Sequence, residues 1–293
     1  MSQVLESIGV ALAKLSWSVH MHTSFTAQTS VGGRVFRVPI AQGMGLPLLS
    51  VEPPEERFAL LVHSVLAARP GAVLDVGANV GRFMLYAASA DHNQRYVGFD
   101  VHPACVQYIQ RIIDLNDLKS SSALAVGLSD HTGAMMLQTG SRYDVSATVV
   151  PGHYPSDMFA QSYPVCVTQG DTIVGDMDLG PIALIKIDVE GGEIEVVKGL
   201  AQTIAVHKPA IVVEVAPYAH IKDVVRADFR RNRAKRLEML LRGAGYQFSK
   251  INDGNKLTPV PSLDPGSSTD YHEMDYLCTP LEFASVFRWM LPH

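Results

Sequence analysis

The sequence predicts an α/β fold built on a doubly wound, mostly parallel sheet, and three observations predict it. From residue 72 onward, short apolar runs alternate with longer helical stretches, the order that βαβ units require. The runs are AVLDVG (72–77), RYVGFD (95–100), ALAVGL (123–128), ALIKID (183–188) and AIVVEV (210–215). They are nearly continuous in Val, Ile and Leu, as strands buried on both faces are. The 293-residue chain is 47% hydrophobic and 18% charged, enough to fill one large core.

The elements follow in chain order. MSQVLESIGVALAKLSW (1–17) carries Glu6 early and has no basic start, so it reads as an amphipathic helix rather than a secretion signal. GRVFRVP (33–39) reads as a strand within a hairpin, and AQGMGLPLLSVEPPEE (41–56) as a loop. Residues 1–68 together read as an N-terminal cap, serving as a lid or a dimer contact, ahead of a main domain at 69–293. GRFMLYAASA (81–90), ACVQYIQRIIDLNDL (104–118) and KRLEMLLRGAG (235–245) have helical spacing, the last ending at Gly243 or Gly245. YQFSKI (246–251) and MDYLCT (274–279) add two strands, the final one returning antiparallel, which makes seven. An insertion at about 134–172 holds MMLQT and PVCVT as a hairpin around an aromatic loop with Tyr143, Tyr154, Phe159 and Tyr163. The cap and the insertion could each cover the mouth of a site.

Composition excludes several classes. A net charge of −5 argues against a nucleic-acid binder. Cys105, Cys166 and Cys278 are three, far apart and without C-x-x-C spacing, so neither a disulfide framework nor a structural zinc is expected. No apolar run reaches the length of a membrane span. The expectation is a soluble, cytoplasmic protein, free to self-associate.

VLDVGANVGRF forms the first strand-to-helix turn. Its glycines let the backbone approach a ligand near a helix N-terminus. A dinucleotide site needs G-x-G-x-x-G, whereas Gly77, Ala78, Asn79, Val80 and Gly81 lack the second glycine. Asp75, two residues before Gly77, would repel a pyrophosphate but suits an ammonium group. Asp100, at the end of the second run, can accept hydrogen bonds from ribose hydroxyls. A ligand with ammonium, sulfonium and ribose but no phosphate is S-adenosylmethionine.

The chain resembles the FkbM family of S-adenosylmethionine-dependent methyltransferases over roughly residues 55–280. The resemblance rests on LDVGANVG (74–81), FDVHP (99–103), AVGLSDHTG (125–133), IKIDVEGGEIEVVKG (185–199) and IVVEV (211–215). It departs from the family at Asp100, where relatives carry Glu; the shorter acid still reaches a ribose. The resemblance implies the Rossmann-like class I methyltransferase fold, with 69–293 as the cofactor-binding catalytic domain. Cofactor contacts are then expected from Asp75, Gly77, Ala78, Asn79, Gly81, Asp100, Val101, Gly127 and Asp188.

LIKIDVEGGE (184–193) puts Lys186, Asp188 and Glu190 on one face if the strand simply continues. Neighbouring side chains would then stand roughly 7 Å apart. Asp188 and, on the next strand, Glu214 should face the same crevice as Gly77. Three roles compete. The acids, or His220, could take the proton that methylation of an alcohol releases. Asp188, Glu190 and Glu214 could hold Mg²⁺ or Ca²⁺, the least favoured reading, with Lys186 already offering a positive charge. Lys186 could pair with a carboxylate while Glu190 caps a helix starting at Gly191 or Gly192. His20 and His22 are further candidates if the cap closes over the site. KDVVRADFRRNRAKRLEMLLR (222–242), with eight basic and three acidic residues, reads as a solvated helix face. Its sharper reading is a docking surface for an anionic or carrier-linked substrate.

The functional expectation is methyl transfer to a hydroxyl of a small molecule, a secondary metabolite such as a polyketide or glycoside, or a sugar. N-methylation of a small-molecule amine is the runner-up. A non-catalytic S-adenosylmethionine-binding protein and a nicotinamide oxidoreductase stand behind it.

Overall fold

The computed structural model describes residues 25–41, 44–49, 53–140, 146–252, 257–265 and 274–283. The helix expected over 1–17, and His20, His22 and Tyr143, lie outside the described residues. Phe25–Val31 (β1) and Arg34–Ile40 (β2) form an antiparallel hairpin. Leu46–Leu49 (α1) and Pro53–Ala68 (α2) follow. The chain then alternates through Ala72–Val76 (β3), Arg82–Ala90 (α3), Tyr96–Phe99 (β4), Pro103–Asn116 (α4) and Ser121–Leu124 (β5). Gly127–Ser129 (β6), Gly133–Thr139 (β7) and Gln161–Gln169 (β8) build a separate three-stranded sheet in the order β6-β8-β7. Gly170–Gly175 (α5), Ile182–Ile187 (β9), Glu193–Gly199 (α6), Ala201–His207 (α7), Ala210–Glu214 (β10) and Val224–Gly243 (α8) resume the alternation. Tyr246–Ile251 (β11), Leu257–Val260 (β12) and Asp275–Pro280 (β13) complete it.

The main sheet runs β12-β11-β13-β10-β9-β3-β4-β5, a Rossmann-like, doubly wound arrangement. The five strands β5, β4, β3, β9 and β10 pair in parallel, and β13 runs antiparallel between β10 and β11. All seven expected strands contribute, and β12 adds an eighth at the edge. Its sequence, LTPV, is short and carries a proline, the kind of segment that only an edge tolerates. The run ALAVGL is not one strand. Ser121–Leu124 pairs with β4, and Gly127–Ser129 turns away to pair with β8. Gly127 permits this departure, since a Cβ there would lie 2.6 Å from Val101 Cγ1.

Period-two alternation divides the core into two apolar layers. On one face Val73, Tyr96, Leu184 and Val212 pack under α2, α3 and α4, together with Phe36, Val38 and Ile40 of the hairpin. On the other, Leu74, Val76, Ile185, Ile187 and Val213 pack against Ile194 of α6 and Leu237 and Leu241 of α8. β3 is the switch point: the chain winds from it to β4 and β5 on one side, while β9 and β10 lie on the other. Ligands in such sheets bind beyond the carboxyl ends at that point. No helix among the described residues is long and apolar enough to cross a membrane.

Candidate active site

At the switch point lies a cavity of about 390 Å³, lined by Gly77, Asn79, Asp100, Val101, Gly127, Asp188 and Glu190 among others. That volume suits a small ligand. Its floor is the turn from β3 to α3. Gly77 has φ +83°, and a Cβ there would stand 1.8 Å from the Asp188 carbonyl oxygen, so only glycine closes the turn against β9. The Gly77 and Ala78 N–H groups donate to the Phe99 carbonyl, at 2.9 and 3.1 Å. Asp100, just past β4, accepts from the backbone N–H of Asn79 and of His102, each at 2.8 Å. Burial raises its pKa and those two donors act against the rise. The two N–H groups therefore fix an acid at the cavity wall.

Three residues of the expected cofactor set do not line the cavity but shape it. Ala78 is buried, and Gly81 begins α3 with φ +79°. Asp75 is fully buried beneath the cavity. The β3–β9 register places it directly beside Lys186, whose Nζ lies 3.5 Å from its Oδ1. The Tyr96 hydroxyl donates to its Oδ2 at 2.6 Å. Gly98, paired with Asp75 across the β3–β4 register, leaves room for that hydroxyl, which a Cβ would approach to 2.8 Å. Asp75 thus meets a protein cation rather than facing the cavity.

Lys186 gathers the cluster. Its Nζ donates to the Gly77 carbonyl at 2.7 Å and pairs with Asp188 Oδ2 at 3.2 Å. Burial works against its charge, but Asp188 and Asp75 raise its pKa. Burial would also raise Asp188; Lys186 and a hydrogen bond from Glu214 hold it below the usual carboxylate range. Glu214, at the end of β10, is pushed well above that range by burial and by Asp188, so it keeps the proton it donates. Carboxylate oxygens of Asp188, Glu190 and Glu214 lie within 4.8 Å of one another. The Lys186 cation and the proton between Asp188 and Glu214 offset the charge of this trio.

The extended-strand expectation for 184–190 changes at Asp188. β9 ends at Ile187, and Glu190 with φ +53° and Gly191 with φ +106° turn the chain. The turn brings Glu190 back toward Asp188, closer than two positions along a strand would. Nor does Glu190 cap the next helix: α6 begins at Glu193, whose own Oε1 accepts the Gly191 N–H at 2.9 Å. The Glu190 carboxyl instead lines the cavity and accepts a 2.5 Å hydrogen bond from Tyr154. Burial first, and then Asp188, push its pKa up to about 8.

Sequence reasoning named Tyr154 only within the aromatic loop that could cover the mouth of a site and placed Arg230 only within the basic run, and it did not single out Thr148. The Thr148 hydroxyl donates to the Glu190 carbonyl at 2.6 Å. Arg230 is almost fully buried, donates twice to the His153 carbonyl at 3.1 and 2.9 Å, and lies 4.9 Å from the Tyr154 ring centroid. Arg233 lines the cavity and pairs with Glu195. Both arginines belong to the basic run read as a solvated face, so that face is divided. Arg226, Arg231 and Arg242 pair with Asp223, Asp228 and Glu238 on the outer side. His220 is exposed on the turn after β10 and does not line the cavity. Nor does any described residue from 25 to 68.

A model of the methyltransferase FkbM domain matches residues 75–248. Methyltransferase sdnD of Sordaria araneosa is 28% identical over 161 residues, covering 44% of this chain and 60% of its own length. Methyltransferase 1 of Beauveria bassiana (strain ARSEF 2860) is 24% identical over 143 residues, covering 44% of this chain and 57% of its own. The chain thus spans less than two thirds of the length of either relative. Among solved structures, methyltransferase FkbM from Methylobacillus flagellatus KT matches at 17% identity and TM-score 0.42, over 80% of this chain and 52% of that one.

Proposed function

The chain belongs to the methyltransferase FkbM domain family, and from that premise we propose that it is an S-adenosylmethionine-dependent methyltransferase acting on a hydroxyl of a small molecule. The observation that carries this reading is the cavity at the switch point, with a glycine turn on one wall and a proton-accepting carboxyl on the other. The cradle fits the donor. Glycine at position 77 lets the turn close against β9, and Asp100 is fixed by two backbone donors where it can receive ribose hydroxyls. Gly77, Asn79, Asp100, Val101 and Gly127 are the residues that would hold it. When bound, S-adenosylmethionine supplies a methyl group on a positively charged sulfur.

The chain's own contribution is positioning and proton transfer. Closing an acceptor hydroxyl into a dry cavity beside the donor makes the reaction effectively intramolecular. The acceptor hydroxyl would give its proton to the ionised form of Glu190 as its oxygen takes the methyl carbon and the carbon–sulfur bond breaks, S-adenosylhomocysteine leaving. Burial pushes the Glu190 pKa up to about 8, so that form is the minority at neutral pH but a stronger base than an ordinary carboxylate. Asp188 stays ionised through Lys186 and lends a fixed negative charge nearby. A secondary metabolite or sugar hydroxyl fits this chemistry. Thermal melting tests the reading. S-adenosylhomocysteine at 100 times its dissociation constant stabilises the folded state by about 2.7 kcal/mol, and NAD⁺ is expected to give no shift. A chain indifferent to S-adenosylhomocysteine would remove the proposal.

A further inference from the structure

We infer that Tyr154 is a positioning residue for Glu190, and that the loop carrying it holds Glu190 at both its backbone and its carboxylate. The inference rests on the methyltransferase reading for its purpose, but its geometry stands alone. Glu190 adopts a left-handed backbone, which a non-glycine residue seldom takes up unaided, so something must hold it there. Two groups do, and both come from residues 148–154. The Thr148 hydroxyl donates to the Glu190 carbonyl, and Thr148 is itself fixed by paired backbone hydrogen bonds with Gln138 at 2.8 and 3.0 Å. Tyr154 donates to Oε2 of the same residue, at 2.5 Å.

The loop is braced from behind. Arg230 donates to the carbonyls of His153 and, at 3.1 Å, Pro217, and its guanidinium rests over the Tyr154 ring. The His153 ring meets Tyr154 edge-on at 4.7 Å between centroids. Tyr154 does not line the cavity, so it acts through Glu190 and not on a ligand. A carboxylate with one oxygen so held has its other edge's direction set. It is also a stronger acid than burial alone would leave, because the phenol stabilises the ionised form. The other charged groups around Glu190 are Asp188 and Lys186 at the end of β9, Glu193 of α6 and Glu214 of β10, with Arg230 of α8 behind the tyrosine.

The test needs no acceptor. Protein labelled with carboxyl-¹³C glutamate is titrated by NMR, with Glu190→Gln identifying the Glu190 signal by its loss. Tyr154→Phe keeps the ring and removes only the donor; it is expected to move the Glu190 midpoint upward by a pH unit or more. Putting 3-fluorotyrosine, a stronger donor, at position 154 is expected to move it downward without disturbing packing. In both proteins S-adenosylhomocysteine affinity, measured by calorimetry, should change less than threefold. A Glu190 midpoint that stays in place in both, or moves the same way in both, overturns the inference. Failure of S-adenosylhomocysteine to bind the unaltered chain would instead sink the proposed function and leave the Tyr154–Glu190 result intact.

Discussion

At residue scale, the site is a problem in charge, and Glu190 shows how it is solved. A carboxyl raised to about 8 by burial is held protonated by the fold through a range where the unfolded chain has released its proton. Between about pH 4.5 and 8 the folded state therefore binds more protons, and stability falls as pH rises, by up to about 1.4 kcal/mol per unit. Below that window the contribution is fully present, and above it the contribution is gone. Glu190→Gln removes this slope while retaining an acceptor for Tyr154. The variant is expected to gain on the unaltered protein as pH rises, overtaking it by pH 9 in urea midpoints. A constant difference between the two from pH 5 to 9 would show that Glu190 titrates normally. Glu214 and Asp75 are also raised, so some slope of the same sign persists in the variant.

At the scale of elements, glycine decides how closely strands and turns meet. Gly77 presses the β3–α3 turn onto the end of β9, whereas Gly180 has φ +66° and open space, with nothing within 4 Å of where a Cβ would stand. Gly180→Ala should cost about 1 kcal/mol, from backbone strain alone. Gly77→Ala adds a collision with the Asp188 carbonyl. It is expected to cost at least about twice as much and to weaken S-adenosylhomocysteine binding more than tenfold. Equal costs at the two sites, read by urea denaturation and calorimetry, would remove close approach as the reason for Gly77. The five apolar runs and the G-A-N-V-G turn were legible because each is a local pattern of period or spacing. The bend between Leu124 and Gly127 was not, since a continuous apolar run gives no sign of changing sheets. The turn at Glu190 was hidden for another reason: its positive φ falls on a residue that seldom adopts one. Tyr154 and Arg230 reach the site across 36 and 77 positions of sequence, through partners that no short window contains.

At the scale of the molecule, the described part of the N-terminal segment belongs to the core. Phe36, Val38 and Ile40 are almost fully buried in the layer that α2, α3 and α4 form against the sheet. The hairpin is also stitched to α4 by polar bonds. The Arg37 N–H donates to Asn116 Oδ1 and Asn116 Nδ2 to the Arg37 carbonyl, each at 2.7 Å. The Tyr108 hydroxyl donates to the Pro39 carbonyl at 2.6 Å. An element joined this way cannot open as a rigid lid without exposing an apolar layer. The energetic consequence is measurable. Phe36→Ala should cost about 3–5 kcal/mol, as other large-to-small core substitutions do. Unfolding should remain a single transition, coincident by circular dichroism and by loss of S-adenosylhomocysteine binding. A separate early transition for the variant, or a chain lacking residues 1–43 that melts and binds as the full chain does, would make the hairpin an appendage. Removing the hairpin uncovers one apolar layer of the core, and the shortened chain is expected to aggregate.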